Sequence, residues 1–348
     1  MGHNCVKTSL VCGVQEEAAA RRGYKYYRIP GIAVTARGTL LVACEARGGR
    51  SDWAGIDLAL FRRTGRGAHF SGPTVLAAGL AAGRTVNNPV LIAGGDGAVH
   101  LLYCEEYGLA ERNGGVFYRR SGDDGLTWSA PANITAATLP EARNVFAVGP
   151  GHGVCLRSGR LLAPVWLVPK SAGSAADSHH PGEVRCLYSD DDGASWRLSE
   201  RVPDGGVRDP NETSAAELSD GRVMLNIRAS GLGCRAVSFG DGESFSEMRP
   251  DRRLIDPTCF GSLLACETAG RPRRLLFCNC ESASARENLV VKGSEDDGET
   301  WPLRVEITAG AAGYADLARC ADGTVYVVYE NRDCTELRLA SFGEEALQ

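Results

Sequence analysis

The sequence predicts an all-β fold, a six-bladed β-propeller, from two repeats and one missing pattern. The first repeat is the phrase S-x-D-x-G-x-[TS]-W, intact at residues 121–128, 189–196 and 294–301. A degraded copy spans residues 238–245, with Gly240 in place of the Asp, and a fainter one ends at Phe70. The second repeat is a turn glycine opening a short apolar run, at Gly38, Gly97, Gly159, Gly221, Gly270 and Gly323. These glycines lie 49–62 residues apart, which matches one blade of four short strands. No long stretch carries the 3.6-residue apolar period of an amphipathic helix. Six blades close into a ring that hides most strand edges.

Each element follows from local chemistry. In the S-x-D-x-G phrase the Asp carboxylate accepts turn N–H groups and the Gly supplies a positive φ, so the phrase reads as a hairpin staple. The Trp behind it fills a gap between neighbouring sheets. A calcium loop is not indicated, because the acids are too few and no Glu closes a loop of the required length. Runs such as Gly38-Thr-Leu-Leu-Val, Gly159-Arg-Leu-Leu-Ala and Gly323-Thr-Val-Tyr-Val-Val read as strands leaving a turn.

Composition narrows the function classes. The 348 residues read as a single domain spanning 1–348, with 43 glycines and no Pro/Ser linker. The net charge of −5 and the lack of a basic run exclude a nucleic-acid partner from the expectation. No apolar stretch reaches membrane length. The N-terminus has no signal-peptide h-region, so a cytoplasmic location is expected unless a leader has been removed. Thirteen cysteines, mostly inside apolar runs and without a C-x-x-C pair, read as reduced core residues. The six histidines show no ligand spacing beyond the adjacent His179-His180, so neither metal nor cofactor is expected. Residues 170–182 read as a long surface loop, a candidate cover for a site.

Three charges break the strand pattern. Glu45, Arg228 and Glu330 each stand seven residues after a blade glycine, inside runs that otherwise look buried. Equivalent positions on equivalent blades fall at one end of the ring. Buried charges there must pair or serve a ligand, and the pattern favours a functional site over an internal ion-pair ring, although both can hold together.

At this point a resemblance becomes specific. Tyr27-Arg28-Ile29-Pro30 resembles the F/Y-R-I-P motif of the exo-sialidases, and Asp-box repeats follow it along the chain. The similarity continues in order. It runs through Glu45-Ala-Arg47 to Asp52-Trp53, then Pro150-Gly-His152-Gly, Asn211-Glu212 and Asn226-Ile-Arg228. It closes with Arg286-Glu-Asn-Leu, Tyr314-Ala-Asp316-Leu and Val328-Tyr-Glu330. It covers roughly residues 24–340.

The resemblance implies a glycoside hydrolase that releases terminal sialic acid from oligosaccharides or glycoconjugates with retention of configuration. It implies Tyr314 as nucleophile, Glu212 as its base and Asp52 as acid/base. It further implies Arg28, Arg228 and Arg286 as the clamp on the substrate carboxylate. Glu330 is implied to orient Arg28, with Arg47, Asn88 and Trp53 near the amino-sugar end. The chemistry is coherent, since three guanidiniums suit a carboxylate and a neutral phenol is not repelled by it, the tyrosine exception among glycosidases. Taken alone, each residue has a plainer reading. Arg28 can stack on an aromatic ring, Asp52 can cap a turn, Tyr314 can fill a strand and Glu212 can sit on a surface loop. Asn88 stands where several bacterial relatives carry Asp, which keeps open a related nonulosonic acid such as deaminated sialic acid, or a transfer product. A non-catalytic glycan-binding propeller is the alternative from another class.

Overall fold

The computed structural model describes residues 6–65, 67, 69–106, 114–138, 143–169, 180–267 and 273–347. Residues 170–179 of the predicted surface loop, and Gly270, lie outside that set. The first blade holds β2 (Tyr26–Val34), β3 (Leu40–Arg47), β4 (Ile56–Arg63) and β5 (Ser71–Ala77) in sequential antiparallel order, following β1 (Lys7–Gly13). The second holds β6 (Val86–Ala93), β7 (Val99–Glu105), β8 (Gly115–Ser121) and β9 (Ala132–Asn133). The third is built on β10 (Arg143–Val148), β13 (Leu161–Pro169), β14 (Glu183–Ser189) and β15 (Arg197–Leu198), with two short strands before β13. Of these, β11 (Gly151–His152) pairs in parallel with β6, while β12 (Val154–Cys155) pairs with β13. The fourth is β16 (Thr213–Glu217), β17 (Val223–Ile227), β18 (Cys234–Gly240) and β19 (Arg249–Ile255).

The last two blades share one sheet path, β20 (Ser262–Cys266), β21 (Arg274–Cys280), β22 (Glu287–Ser294), β23 (Leu303–Arg319), β24 (Thr324–Asn331), β25 (Glu336–Gly343) and then β1. The 17-residue β23 explains this. Its first part pairs with β22 and its second with β24, so one strand ends the fifth blade and begins the sixth. β1 supplies the outer strand of the sixth blade, pairing Lys7 with Ser341 through Gly13 with Glu336. The first strand thus fastens to the last blade and closes the ring, the six-bladed propeller predicted above. Middle strands are packed on both faces, so β3 is buried along its whole length and β13 along all but its last residue. That is why those runs are continuously apolar rather than alternating.

The S-x-D-x-G phrase forms the predicted staple. Asp123 accepts Thr127 N at 2.8 Å and Thr127 Oγ1 at 2.5 Å, and Ser121 Oγ accepts Gly125 N at 2.9 Å. The same bonds recur at Asp191 and Asp296. The Thr127 hydroxyl and amide pull the Asp123 carboxyl down to about 2. A second function was not legible in the phrase. Its middle Asp, at positive φ in Asp124, Asp192 and Asp297, reaches back to the preceding blade. Asp124 takes Arg62 Nη2 at 2.9 Å, Asp192 takes Arg120 Nη2 at 2.7 Å, and Asp297 takes Ser219 N at 3.0 Å. Each box is therefore also an interblade clamp. In the third blade Trp196 packs on Tyr118 of the second, with ring centres 5.4 Å apart. Gly193 has φ +83°, and a Cβ there would stand 2.1 Å from Tyr118 Oη. Gly193→Ala is expected to cost roughly 1–3 kcal/mol through strain and displacement of Tyr118. Thermal denaturation checks this, and an unchanged Tm would show that the joint yields freely.

At the axis, Asp316 is fully buried and joins several blades. It accepts His152 Nδ1 at 2.7 Å, Ser262 Oγ at 2.7 Å and Ile32 N at 2.9 Å. Its donors come from the first blade, from β11 beside the second, and from the fifth, while Asp316 itself belongs to the sixth. At Gly31 a Cβ would lie 2.4 Å from Gly151 O, so the strands meet here backbone to backbone. The twelve described cysteines are free thiols, most of them buried, as expected.

Candidate active site

Three strands carry an irregularity at the same end of the ring. The register of β2 against β3 slips between Arg28 and Gly31, that of β6 against β7 between Asn87 and Val90, and that of β23 against β24 between Ala312 and Ala315. Bulges re-aim side chains and cluster beside functional sites. Ile29 and Asn88 sit at φ +55° and +53°, conformations that non-glycine residues adopt only where the surroundings enforce them. The bulges turn Arg28, Asn88 and Tyr314 toward one cavity of about 330 Å³.

The cavity wall gathers Arg28, Arg47, Asp52, Asn88, Glu212, Arg228, Arg286 and Tyr314. All eight are residues to which the resemblance assigned a place in the site, and the fold brings them together from five blades and a loop. Another residue so assigned, Glu330, stands behind the wall. Its carboxylate accepts Arg28 Nε at 3.2 Å and Nη2 at 3.5 Å, and also Ile29 N at 2.8 Å and Tyr314 N at 3.1 Å. One buried acid thus fixes a guanidinium and two bulged backbones. Glu330 raises the Arg28 pKa further, against the effect of burial.

Tyr314 and Glu212 form the centre. Tyr314 Oη donates to the Glu212 carboxylate, 2.7 Å from Oε1 and 2.8 Å from Oε2, and accepts Arg228 Nη1 at 2.7 Å. Arg228 also pairs directly with Glu212. Burial, opposed by Arg228 and reinforced by Glu212, pushes the phenol pKa up, so Tyr314 is neutral at rest. The guanidinium carbons of Arg28 and Arg286 each lie 5.3 Å from the Tyr314 ring centre. Arg28 stacks on Tyr314, not on the adjacent Tyr26 or Tyr27 that its sequence neighbourhood suggested.

Asp52 stands in the loop between β3 and β4, its side chain 40% exposed. It accepts Arg47 Nη1 at 2.8 Å and lies 3.9 Å from Arg28 Nη1. Arg47 is buried and held from below by Glu45, with Nε 2.6 Å from Oε2. Glu45 also accepts Asn88 N at 2.8 Å and Asn87 Nδ2 at 3.3 Å. Burial pushes the Glu45 carboxyl pKa up, and Arg47 works against that. The charges picked out by their register, Glu45, Arg228 and Glu330, therefore serve both readings given above: they are an ion-pair framework and they build the cavity.

Sequence reasoning missed several wall residues, among them Asn87, Trp166, Ser230 and Thr258. Trp166 sits in a continuous apolar strand and gives no signal. Asn87 adjoins Asn88 and shares its bulge, which offered the one available cue. His180 also lines the cavity and was noticed only as half of a histidine pair. Trp53 packs on the core shared by the second and third blades and is not part of the wall.

The profile of the BNR repeat-like domain matches residues 38–327. A sialidase of Micromonospora viridifaciens is 33% identical over 92% of this chain, and a sialidase of Bacteroides fragilis is 26% identical over 88%. The chain spans 52% and 60% of those two proteins. Among solved structures, the Hadza microbial sialidase Hz136 superposes with a TM-score of 0.84, at 24% identity, covering 97% of this chain and 69% of that one. A leech intramolecular trans-sialidase superposes at 0.79 with 17% identity, covering 98% and 71%. These superpositions carry the fold. With the Asp boxes in place and the motif residues converging in order on one cavity, the matched profile and relatives identify the chain as a member of the BNR-repeat sialidase family.

Proposed function

We propose that this chain is an exo-α-sialidase that hydrolyses terminal sialic acid from oligosaccharides or glycoconjugates with retention of configuration. The observation that carries the reading is the buried Tyr314–Glu212 pair lying among three guanidiniums in one cavity. Arg28, Arg228 and Arg286 hold the substrate carboxylate by charge-assisted hydrogen bonds. Tyr314 attacks the anomeric carbon as its proton passes to Glu212, and neutrality of the phenol avoids repulsion by the substrate carboxylate. Asp52 protonates the departing glycosidic oxygen. In the second step it takes a proton from water, which displaces Tyr314 from the sugar, and the released Tyr314 oxygen takes its proton back from Glu212. Two inversions at one carbon give net retention. Glu330 positions Arg28 and the Tyr314 backbone, and Arg47 orients Asp52. Arg47, Asn88 and Asn87 form the wall beyond the acid.

The test compares wild type and Asp52→Ala on an aryl α-sialoside and on a sialyl-lactose. General acid catalysis is worth about 10²–10⁴-fold when the leaving group needs a proton. The expected loss is of that size on sialyl-lactose and much smaller on the aryl glycoside, whose phenolate leaves unaided. Equal losses on both would remove Asp52 from the acid position. Sialoside binding without turnover by wild type would replace the enzyme reading with a glycan-binding propeller.

A further inference from the structure

Away from the cavity, the joint between the second and third blades holds a group that the mechanism does not use. His100 on β7 is fully buried. Its Nδ1 meets Tyr118 Oη at 2.8 Å, whereas its Nε2 has no hydrogen-bond partner among the described residues. Nε2 lies 3.3 Å from Asp192 Oδ1 without the alignment of a hydrogen bond. Gly94 leaves open the spot it faces, since a Cβ built there would stand 2.8 Å from both His100 Nε2 and Asp96 Oδ1. One ligand atom each from Asp96, His100 and Asp192 falls within a 4.8 Å span.

We propose that Asp96, His100 and Asp192 form a site for a divalent transition-metal ion of the zinc type, which pins the second blade to the third. One imidazole nitrogen and two carboxylate oxygens are a donor set that such ions accept. The ring is oriented for ligation, because Nδ1 is engaged by Tyr118 Oη while Nε2 has no hydrogen-bond partner among the described residues. With metal on Nε2, Nδ1 carries the proton and donates to Tyr118 Oη, the kind of outer hydrogen bond that orients a ligating histidine. Arg120 does not occupy the same atoms. Its Nη2 binds the Oδ2 oxygens, 2.6 Å from Asp96 and 2.7 Å from Asp192, and its Nε also binds Asp192 Oδ2 at 3.1 Å. The Oδ1 oxygens face His100, and that of Asp96 also accepts Ala98 N at 2.9 Å. Two carboxylates against one guanidinium leave the site net negative before an ion enters. The other interblade clamps use a hydroxyl, an amide or an arginine where this one adds a histidine and a second carboxylate.

The test strips the full chain with a chelator, then titrates it with CoCl₂ by absorption and with ZnCl₂ by calorimetry. One equivalent of cobalt is expected to give a visible band without the near-ultraviolet charge-transfer band of thiolate ligands. That spectrum separates this site from the many cysteines. Zinc is expected to displace the cobalt and to raise the Tm by several degrees. Asp96→Asn, at an exposed position, is expected to weaken binding at least tenfold while the fold is unchanged. His100→Gln is expected to abolish it. The proposal is overturned if no stoichiometric equivalent binds, if the cobalt spectrum is that of thiolate, or if Asp96→Asn binds as wild type does.

Discussion

Tyr314→Phe is expected to lower turnover of an α-sialoside by about 10³-fold or more, roughly 4 kcal/mol of transition-state stabilisation, while the propeller keeps its stability. The hydroxyl is the only group removed, and it is the proposed nucleophile. Its partners are not left stranded, because Arg228 and Glu212 already pair directly. The change in stability is therefore expected to stay within about 1 kcal/mol. The carboxylate clamp remains, so a sialoside should still bind the variant. Steady-state kinetics on the aryl sialoside, a binding titration and a melting curve together check all three parts. Turnover within tenfold of wild type in a folded protein would remove Tyr314 from the nucleophile position. Loss of binding together with turnover would instead make Tyr314 a support for Arg228.

The largest effect on stability is expected at Asp316, which does not line the cavity. Asp316→Ala takes the acceptor from His152, Ser262 Oγ and Ile32 N at once, at a position that is fully buried. Breaking a buried charged network by removing one partner costs about 3–5 kcal/mol. For a chain of this size that is a fall in Tm of roughly 4–7 °C. The pH dependence has a definite sign. Burial opposes the charge on His152, but Asp316 outweighs it and raises the imidazole pKa above its ordinary value. A raised histidine contributes stability that is fully present below about pH 6.5 and is lost as pH rises through the raised value. Wild type should therefore lose part of its stability across that window, and Asp316→Ala should lack that slope. Melting curves over a pH series decide it. An unchanged Tm in Asp316→Ala would mean that the axis is held by backbone contact alone, as at Gly31 and Gly151.

The fold was legible because its signals repeat. Trp128, Trp196 and Trp301 end the same phrase, and the blade glycines keep nearly the same interval, so a weak local signal was read several times over. The site residues were legible one at a time only through resemblance. Asp52 in a glycine-rich loop looks like a turn cap, and Glu212 before a strand looks like a surface acid. Glu45, Arg228 and Glu330 were exceptions, because charge inside an apolar strand is costly and must have a partner.

By itself the sequence determined the β class, the number of blades, the staple chemistry of the Asp boxes and the register at which charges would meet. Those depend on spacing and on contacts within a few residues, which a linear chain encodes directly. The tertiary structure decided which blade each charge would face. It set Glu330 behind Arg28, 302 residues away in sequence, and placed Trp166 in the cavity wall. It gave Asp192 a second duty at His100 and made Asp316 the axial acceptor. These pairings depend on ring closure by β1 and on bulges whose direction is fixed only when neighbouring blades press on them, so no local pattern could announce them.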